Sequence, residues 1–423
     1  MKVIQTLQLH AVRRLWLAQV LAGVGDEFYA LAVVCLATTS LGYQAGYLLA
    51  LQSLITLLST LTSNLLTQGK DCRILMMISD GCRVLVMAGL AIGLLQGGES
   101  APPLFLLVLA MTVMAYIRPV FDPSLQMALP RLSGDSTQLS SINALFDIMR
   151  RLARVLGPGL GALLFPLLHL SLFFLLTGLT YLVSLCTLGL LRKALAPVAA
   201  VSVPADTASC PLSGCLATAL RGFILLRRDP RYYFHLLAFG ICSGWWYLAL
   251  FVSTALLLKQ PDYLHSGITL GSVIAVYGVG NVLANLLVAE MRIIRPWQWM
   301  SAGRLVMATG FLCMAMGQDH YSLYLGAFVA AVGAPVTQLP MANHLQSRYR
   351  GDDVAAIFRV RLFFEWGGSL LAMLASPWLL QQWQPSGVIQ AAGISYAIVG
   401  VLGWCVIHDL PAGRRTAWVS YES

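Results

Sequence analysis

Apolar residues run along this chain in blocks of about 20, broken by short polar or glycine- and proline-containing intervals. A helix of about 20 residues covers the roughly 30 Å of hydrocarbon in a bilayer while satisfying its own backbone polar groups. The pattern predicts twelve such helices, with a first group at Leu15–Leu36, Ala45–Leu66, Ile74–Leu95, Pro103–Pro123, Leu145–Leu167 and Leu170–Leu191. A second group follows at Tyr233–Leu258, Ile268–Ala289, Trp299–Met316, Tyr321–Ala342, Val354–Leu380 and Val388–Ile407. The expected fold is an all-α membrane protein with twelve transmembrane helices in two pseudo-symmetric six-helix halves.

The halves are expected at 1–191 and 232–423, the second ending in a short cytoplasmic tail, with a cytoplasmic linker at 192–231. The linker opens as KALAPVAAVSVPADTASCPLSG, rich in Ala, Pro and Ser without a spanning pattern, and continues as LATALRGFILLRRDPR, amphipathic enough to lie along the inner surface. Two local matches relate the halves at nearly one spacing. SNLLTQGKDCRILMM and ANLLVAEMRIIRPWQWM align Asn64 with Asn285, an offset of 221 (285 less 64). LQMALPRLSGD and LQSRYRGDD align Gln126 with Gln346, an offset of 220 (346 less 126).

Charge then orients the chain. Positive loops stay on the cytoplasmic side, and with both termini inside, Lys and Arg gather there, from Arg13 and Arg14 through Lys70, Arg131, Arg227 and Arg348 to Arg415. Arg83, Arg150, Arg151, Arg154, Arg304, Arg359 and Arg361 are expected in the cytoplasmic parts of helices, and Lys259 alone outside. The net charge of +9 reads as a basic inner face against anionic lipid, with no nucleic-acid partner. Composition agrees, at 58% hydrophobic and 11% charged residues where a soluble chain carries about a quarter charged. The basic, apolar amino terminus is read as helix 1, its apolar run being too long for a signal peptide and without a clear cleavage site. Of nine cysteines, six fall inside helices and Cys72, Cys210 and Cys215 face the reducing cytoplasm, so neither disulfides nor a metal site is expected.

Three segments resemble the major facilitator superfamily, in the branch of macrolide efflux proteins and the enterobactin exporter. They are RRLWLAQVLAGVGDEFYALAV in helix 1, ILMMISDGCRVLV in helix 3, and FDPSLQMALPRLSGDSTQLSSINALFDIMRRLARVLGPGLGALL across helices 4 and 5. The resemblance extends over nearly the whole chain and is thinner after Tyr233, where GVGNVLANLL and RYRGDD still fit. It implies alternating access between two halves, an inner (cell) membrane location and a monomer. The chain departs from the superfamily's pattern between helices 2 and 3, where Asn64, Gln68 and Gly69 replace the usual Gly, acid and Arg. Lys70, Asp71 and Arg73 remain as gating residues, and Glu290 at the end of helix 8 is a candidate for the missing acid, with a solvated helix end as its plainer reading.

The intramembrane charges are the functional candidates, because a carboxylate at the bilayer centre costs about 2.5 to 3.5 kcal/mol. Asp26 and Glu27 interrupt an apolar run, and Gln19, Gly23, Asp26 and Ala30 follow helical spacing on one face. A carboxylate that loses hydration holds a proton more readily and releases it when water returns, so Glu27 and Asp26 are the proton-coupling candidates, Glu27 the stronger. A bundle-fixing ion pair is the competing role for both. Arg118, beside Pro119 and Pro123 in helix 4, is read either as a partner of those acids or as a fork for a substrate carboxylate. Trp245, Trp246 and Tyr247 in helix 7 and Glu365 and Trp366 in helix 11 complete the expected cavity, with packing as the plainer reading of the aromatics and a structural cluster with Arg359 and Arg361 as an equal reading of Glu365.

The function expected is proton-coupled export of a small amphipathic molecule, a siderophore being the best-fitting substrate. A multidrug or macrolide pump and a lysophospholipid transporter are the alternatives in the same class. Partners are then the substrate, protons and the bilayer, with no cofactor. A membrane enzyme is disfavoured because His10, His169, His235, His265, His320, His344 and His408 are scattered and form no catalytic or metal-ligand grouping. A transport-inactive sensor on the same fold is kept open by the altered gate motif.

Overall fold

A computed structural model describes residues 6–409 apart from 68–69, 98–103, 133–141, 196–220, 265–267, 292, 318–319, 350–351 and scattered positions between 143 and 167. The side chains of several further residues, mostly near helix ends and including Gln126 and Glu290, also lie outside the described set. Among the described residues, nine apolar helical stretches are long enough to cross a membrane. Two of them, at His10–Thr60 and Ala356–Cys405, each hold two crossings. The first turns at Gly42, whose φ of 54° suits a residue without a Cβ, and the second at Gln384, whose φ is 56° and which Pro385 follows.

The helices are therefore α1 (His10–Leu41), α2 (Ala45–Thr67), α3 (Cys72–Gly97), α4 (Leu104–Ala128) and α6 (Leu170–Leu190). Described residues between 142 and 164, all helical, mark α5. The second half has α7 (Pro230–Leu257), α8 (Leu270–Glu290), α9 (Pro296–Met316), α10 (His320–Arg348), α11 (352–383) and α12 (385–409). The chain is an all-α membrane protein of two six-helix halves. Capping explains two of the starts. Asp229 caps α7 by accepting from the Tyr232 amide with Pro230 in the first turn, and Thr269 and Ser272 cap α8 reciprocally. Between Leu248 and Ser253 the α7 backbone widens into a π-helical turn, directly after the aromatic triplet.

Only the two ends of the expected linker are described, 192–195 as a turn and 221–231. Residues 221–226 are helical, Leu226 is buried against Tyr232, Ile357 and Val360, and Arg221 pairs with Asp353 at 2.6 Å. This stretch packs on the second half.

Each half has its own apolar core, and two further clusters join the halves. Leu31 and Val34 of α1 pack with Ala255, Leu270 and Ile274, while Ala50 of α2 packs with Leu248, Val252, Met373 and Leu380. Gly46 lies against Ser376 and the Met373 carbonyl, and Lys259 Nζ donates to Thr39 Oγ1 at 2.9 Å and Thr38 Oγ1 at 3.3 Å. All these contacts lie toward one end of the molecule, the end that holds Lys259. Burial there holds the Lys259 ammonium below its usual pKa.

Within the second half α7 and α11 approach closely enough to exclude side chains. A Cβ on Gly240 would stand 2.5 Å from the Phe364 carbonyl oxygen, and one on Gly368 would strike the Gly240 carbonyl. Gly240→Val is expected to destabilise the protein by about 1–3 kcal/mol through overpacking, read as a lowered unfolding midpoint of the purified protein. An unchanged midpoint would contradict the close approach.

Candidate functional site

Between the halves lies a cavity of about 340 Å³. Its first wall carries Asp26, Glu27 and Ala30 from α1, Gln52 from α2 and Arg118 from α4. Its second carries Trp246 and Tyr247 from α7, Tyr277 and Asn281 from α8, Gln338 from α10, and Arg361, Glu365 and Trp366 from α11. Asp26, Ala30 and Val33 stand four and three residues apart, so one face of α1 lines the cavity. Pro119 and Pro123 remove two backbone donors from α4 around Arg118.

The aromatic wall is built as a connected set. Trp246 packs edge-on to Tyr247 at 4.8 Å between ring centres and donates from Nε1 to Tyr277 Oη at 2.9 Å. Tyr247 in turn lies 6.0 Å from the Trp366 ring and 5.8 Å from Phe251. Trp245, one position away and therefore about 100° round the helix, packs into the apolar interior and is not among the cavity-lining residues.

Behind the first wall is a charged cluster that the sequence reading missed. Asp26 accepts from Tyr181 Oη at 2.8 Å and pairs with Arg83 Nη1 at 3.9 Å. Arg83 also lies 3.6 Å from Asp80, which is wholly buried and accepts from Ser184 Oγ at 2.6 Å. Gln19 Nε2 donates to that same Ser184 oxygen at 2.8 Å. The Arg83 guanidinium is further held over the rings of Phe121 and Tyr181, at 4.8 and 5.4 Å from their centres. The cluster thus ties α1, α3 and α6 together.

Arg83 stands eleven residues beyond Cys72, about 16 Å along α3, and is 3% exposed. One further placement differs from expectation. Gln19 is buried against α6 and is not among the residues that line the cavity. The signal for the cluster was present in SDGCR, where an acid and a base three residues apart share a helix face inside an apolar run. Arg118 is accessible from the cavity with Asp26, Asp122 and Glu27 as its acidic neighbours, while the ion pair within 4 Å of Asp26 is formed by Arg83.

The gating candidates form contacts within the first half. Asp71 accepts from Arg131 Nη1 at 2.8 Å, Arg131 also donates to the Leu195 carbonyl, and Arg73 Nε donates to the Leu188 carbonyl at 2.8 Å. The altered motif therefore joins the α2–α3 loop to the ends of α4 and α6. Lys70 is exposed, and the Glu290 side chain lies outside the described set. A related tie in the second half links Asp229 to His344 Nε2 at 2.9 Å.

The Arg83–Asp80 and Arg131–Asp71 ion pairs should differ greatly in worth. Asp80→Ala leaves a fully buried guanidinium with one counter-charge and is expected to cost about 3–5 kcal/mol. Asp71→Ala breaks a partly exposed pair and is expected to cost at most about 1 kcal/mol. Unfolding of the two variants in the same detergent checks the ranking, and a reversed order would contradict the burial.

No family model matches the chain, and no curated relative does. Solved structures do. A proton-dependent oligopeptide (POT) family transporter in complex with 5-aminolevulinic acid superposes with a TM-score of 0.72 at 11% identity, covering 94% of this chain and 96% of that one. Another POT family transporter, bound to a thioalcohol-conjugated peptide, gives 0.75 at 11% identity over 94% and 96%. A third, from work on substrate recognition in proton-dependent oligopeptide transporters, gives 0.69 at 14% identity over 94% and 98%. At such identities the likeness is one of fold alone.

Proposed function

We propose that the protein is a secondary active transporter that moves a small amphipathic molecule by alternating access, coupled to protons. The observation that carries this reading is the cavity itself. It lies between two halves packed together at the Lys259 end, and it sets carboxylates and Arg118 on one wall against aromatic rings on the other. With both termini cytoplasmic, the sealed end is the outer one and the cavity belongs to an inward-facing state.

Glu27 and Asp26 are the proton-coupling groups in this reading. Asp26 reaches both the cavity and Arg83, so gain or loss of its charge alters the ion cluster behind the wall. Moving one charge across 100 mV is worth about 2.3 kcal/mol, enough to bias transport of a bound molecule. Arg118 and Arg361 give the cavity cationic groups beside its acids, which suits a substrate carrying a carboxylate on an apolar body. A neighbour in fold is named for its complex with 5-aminolevulinic acid, a molecule with both an amine and a carboxylate. Outward movement of a carboxylate-bearing siderophore is the specific form we propose, following the motifs of helices 1, 3, 4 and 5. The acids and aromatic rings together also favour a second reading, export of a hydrophobic cation.

Mass spectrometry of medium from iron-starved cells, with and without the gene, separates the two. Wild type is expected to restore a secreted chelator, while Glu27→Gln and Arg118→Ala lose at least about 90% of it although present in the membrane at equal amounts. An unchanged exometabolome with altered tolerance to cationic drugs would establish the second reading. In vesicles, transport by Glu27→Gln that still follows the proton gradient would remove Glu27 from the coupling.

A further inference from the structure

The first half carries a second hollow on its outer surface, away from the cavity. Arg14, Leu17 and Leu21 of α1 and Val183, Thr187 and Leu190 of α6 line a groove, with Ala18 buried at its base. Each set of three advances in steps of three and four residues, so each lies on one face of its helix and spans about 10 Å. Gln19 bonds Ser184 and Asp26 bonds Tyr181, so the two helices run antiparallel. Arg14 and Leu190 therefore mark one end of the groove, and Leu21 and Val183 the other.

The two ends differ in chemistry. Leu17, Leu21, Val183 and Leu190 are exposed large apolar residues. The Thr187 hydroxyl already donates to the Val183 carbonyl at 2.8 Å, so beyond Arg14 the walls are apolar. At the Arg14 end cations gather. Arg13 and Arg14 are exposed, as are Arg192 and Lys193 just past α6. Leu191 and Leu195 share an apolar cluster with Val12 and Leu15, which keeps the chain after α6 near the start of α1. Arg73 and Arg131 at this end are already engaged, Arg73 with the Leu188 carbonyl and Arg131 with Asp71 and the Leu195 carbonyl. Among the described residues no carboxylate pairs with Arg13, Arg14, Arg192 or Lys193.

The second half closes the corresponding place. At the offset that relates Asn64 to Asn285, Arg14 is matched by His235 (235 less 14 is 221), which is wholly buried. Gly403 of α12, the counterpart of α6, approaches it so closely that a Cβ there would lie 3.5 Å from His235 Cε1. The open, basic-ended groove is thus particular to the α1 and α6 pair.

We propose that this groove binds an anionic phospholipid, with the phosphate at Arg14 and one acyl chain along Leu17, Leu21, Val183 and Leu190. Basic pockets between transmembrane helices at the cytoplasmic side hold anionic headgroups, and a guanidinium fork matches phosphate oxygens. An apolar track leading away from that charge fits a chain joined to the phosphate, whereas a free phosphate leaves the track empty. The inner faces of the same helices carry the Gln19 to Ser184 and Tyr181 to Asp26 bonds, so an occupant braces the pair that holds the ion cluster. The site lies outside the cavity and needs neither substrate nor proton gradient to bind.

The test is thermal unfolding of the full-length protein in a neutral detergent with added phosphatidylglycerol, phosphatidylcholine of the same chains, or inorganic phosphate. A ligand specific to the folded protein raises the midpoint by mass action. Phosphatidylglycerol is expected to raise it by a few degrees and to saturate, and the other two to leave it unchanged. Arg14→Gln is expected to lose most of that shift. Val183→Trp fills the groove from an exposed position while keeping every cation, and is expected to lose it too. Arg227→Gln combined with Arg228→Gln removes two exposed cations outside the groove and is expected to keep it. All three variants change surface positions, so midpoints near wild type without lipid are expected. An equal shift with phosphatidylcholine would mean apolar contact alone, an equal shift with phosphate would mean an unattached anion, and either overturns the proposal. So does a full response in Arg14→Gln or Val183→Trp, or an equal loss in the Arg227 and Arg228 variant.

Discussion

Charge inside hydrocarbon must be neutralised by the protein, and this constraint shapes the interior of the molecule. A packed interior solvates an ion poorly, so a lone ion there costs several kcal/mol. In the first half the answer is a chain of contacts. Arg83 stands between two aspartates, Tyr181 and Ser184 each donate to one of them, and two aromatic rings close over the guanidinium. Three helices are fixed relative to one another because each supplies part of that neutralisation.

The cavity begins where this arrangement reaches its edge. Asp26 belongs to both, with its carboxylate bonded to Tyr181 and paired with Arg83 on one side and its residue exposed to the cavity on the other. Its charge state therefore bears on the packing of α3 and α6 as well as on anything the cavity holds. At the sealed end the halves meet through small and aliphatic residues such as Gly46, Ala50, Leu31 and Ile274. Apolar faces of this kind can separate without stranding a buried ion, whereas Lys259, whose ammonium donates to two threonine hydroxyls, marks the rim.

The helices were legible because length and hydropathy alone decide whether a segment can span a bilayer, and the blocks ending near Leu191 and beginning near Tyr233 mark the two halves. The chemistry of the site was legible by residue type and less so by position. Trp246 and Trp245 look alike in sequence, yet a rotation of about 100° puts one on the cavity and the other in the interior. Gln19 shares a helix face with Asp26, but seven residues amount to about 10 Å of rise, and at that depth α6 covers the face. Arg83 and Arg304 were expected in the cytoplasmic parts of their helices by the rule that basic residues stay near the cytoplasm. That rule counts charges and is blind to an acid one turn away, so the ion pair of Arg83 with Asp80 was visible only in the contacts.

The repeat makes the difference between the halves informative. A two-fold fold can present equivalent walls to its centre, and such a cavity would give an asymmetric molecule no preferred direction. Here the position equivalent to Asp26 is Tyr247 and that equivalent to Asp80 is Ser301, both at the offset of 221 (247 less 26, 301 less 80), while the buried Arg83 has its counterpart in the buried Arg304. One wall then carries Asp26, Glu27 and Arg118 backed by a neutralised cluster, and the other carries aromatic rings together with Arg361 and Glu365. Both walls hold charge of each sign, so what distinguishes them is the support behind it: an ion cluster behind Asp26, and hydrogen bonds from Arg304 to His235 in the second half.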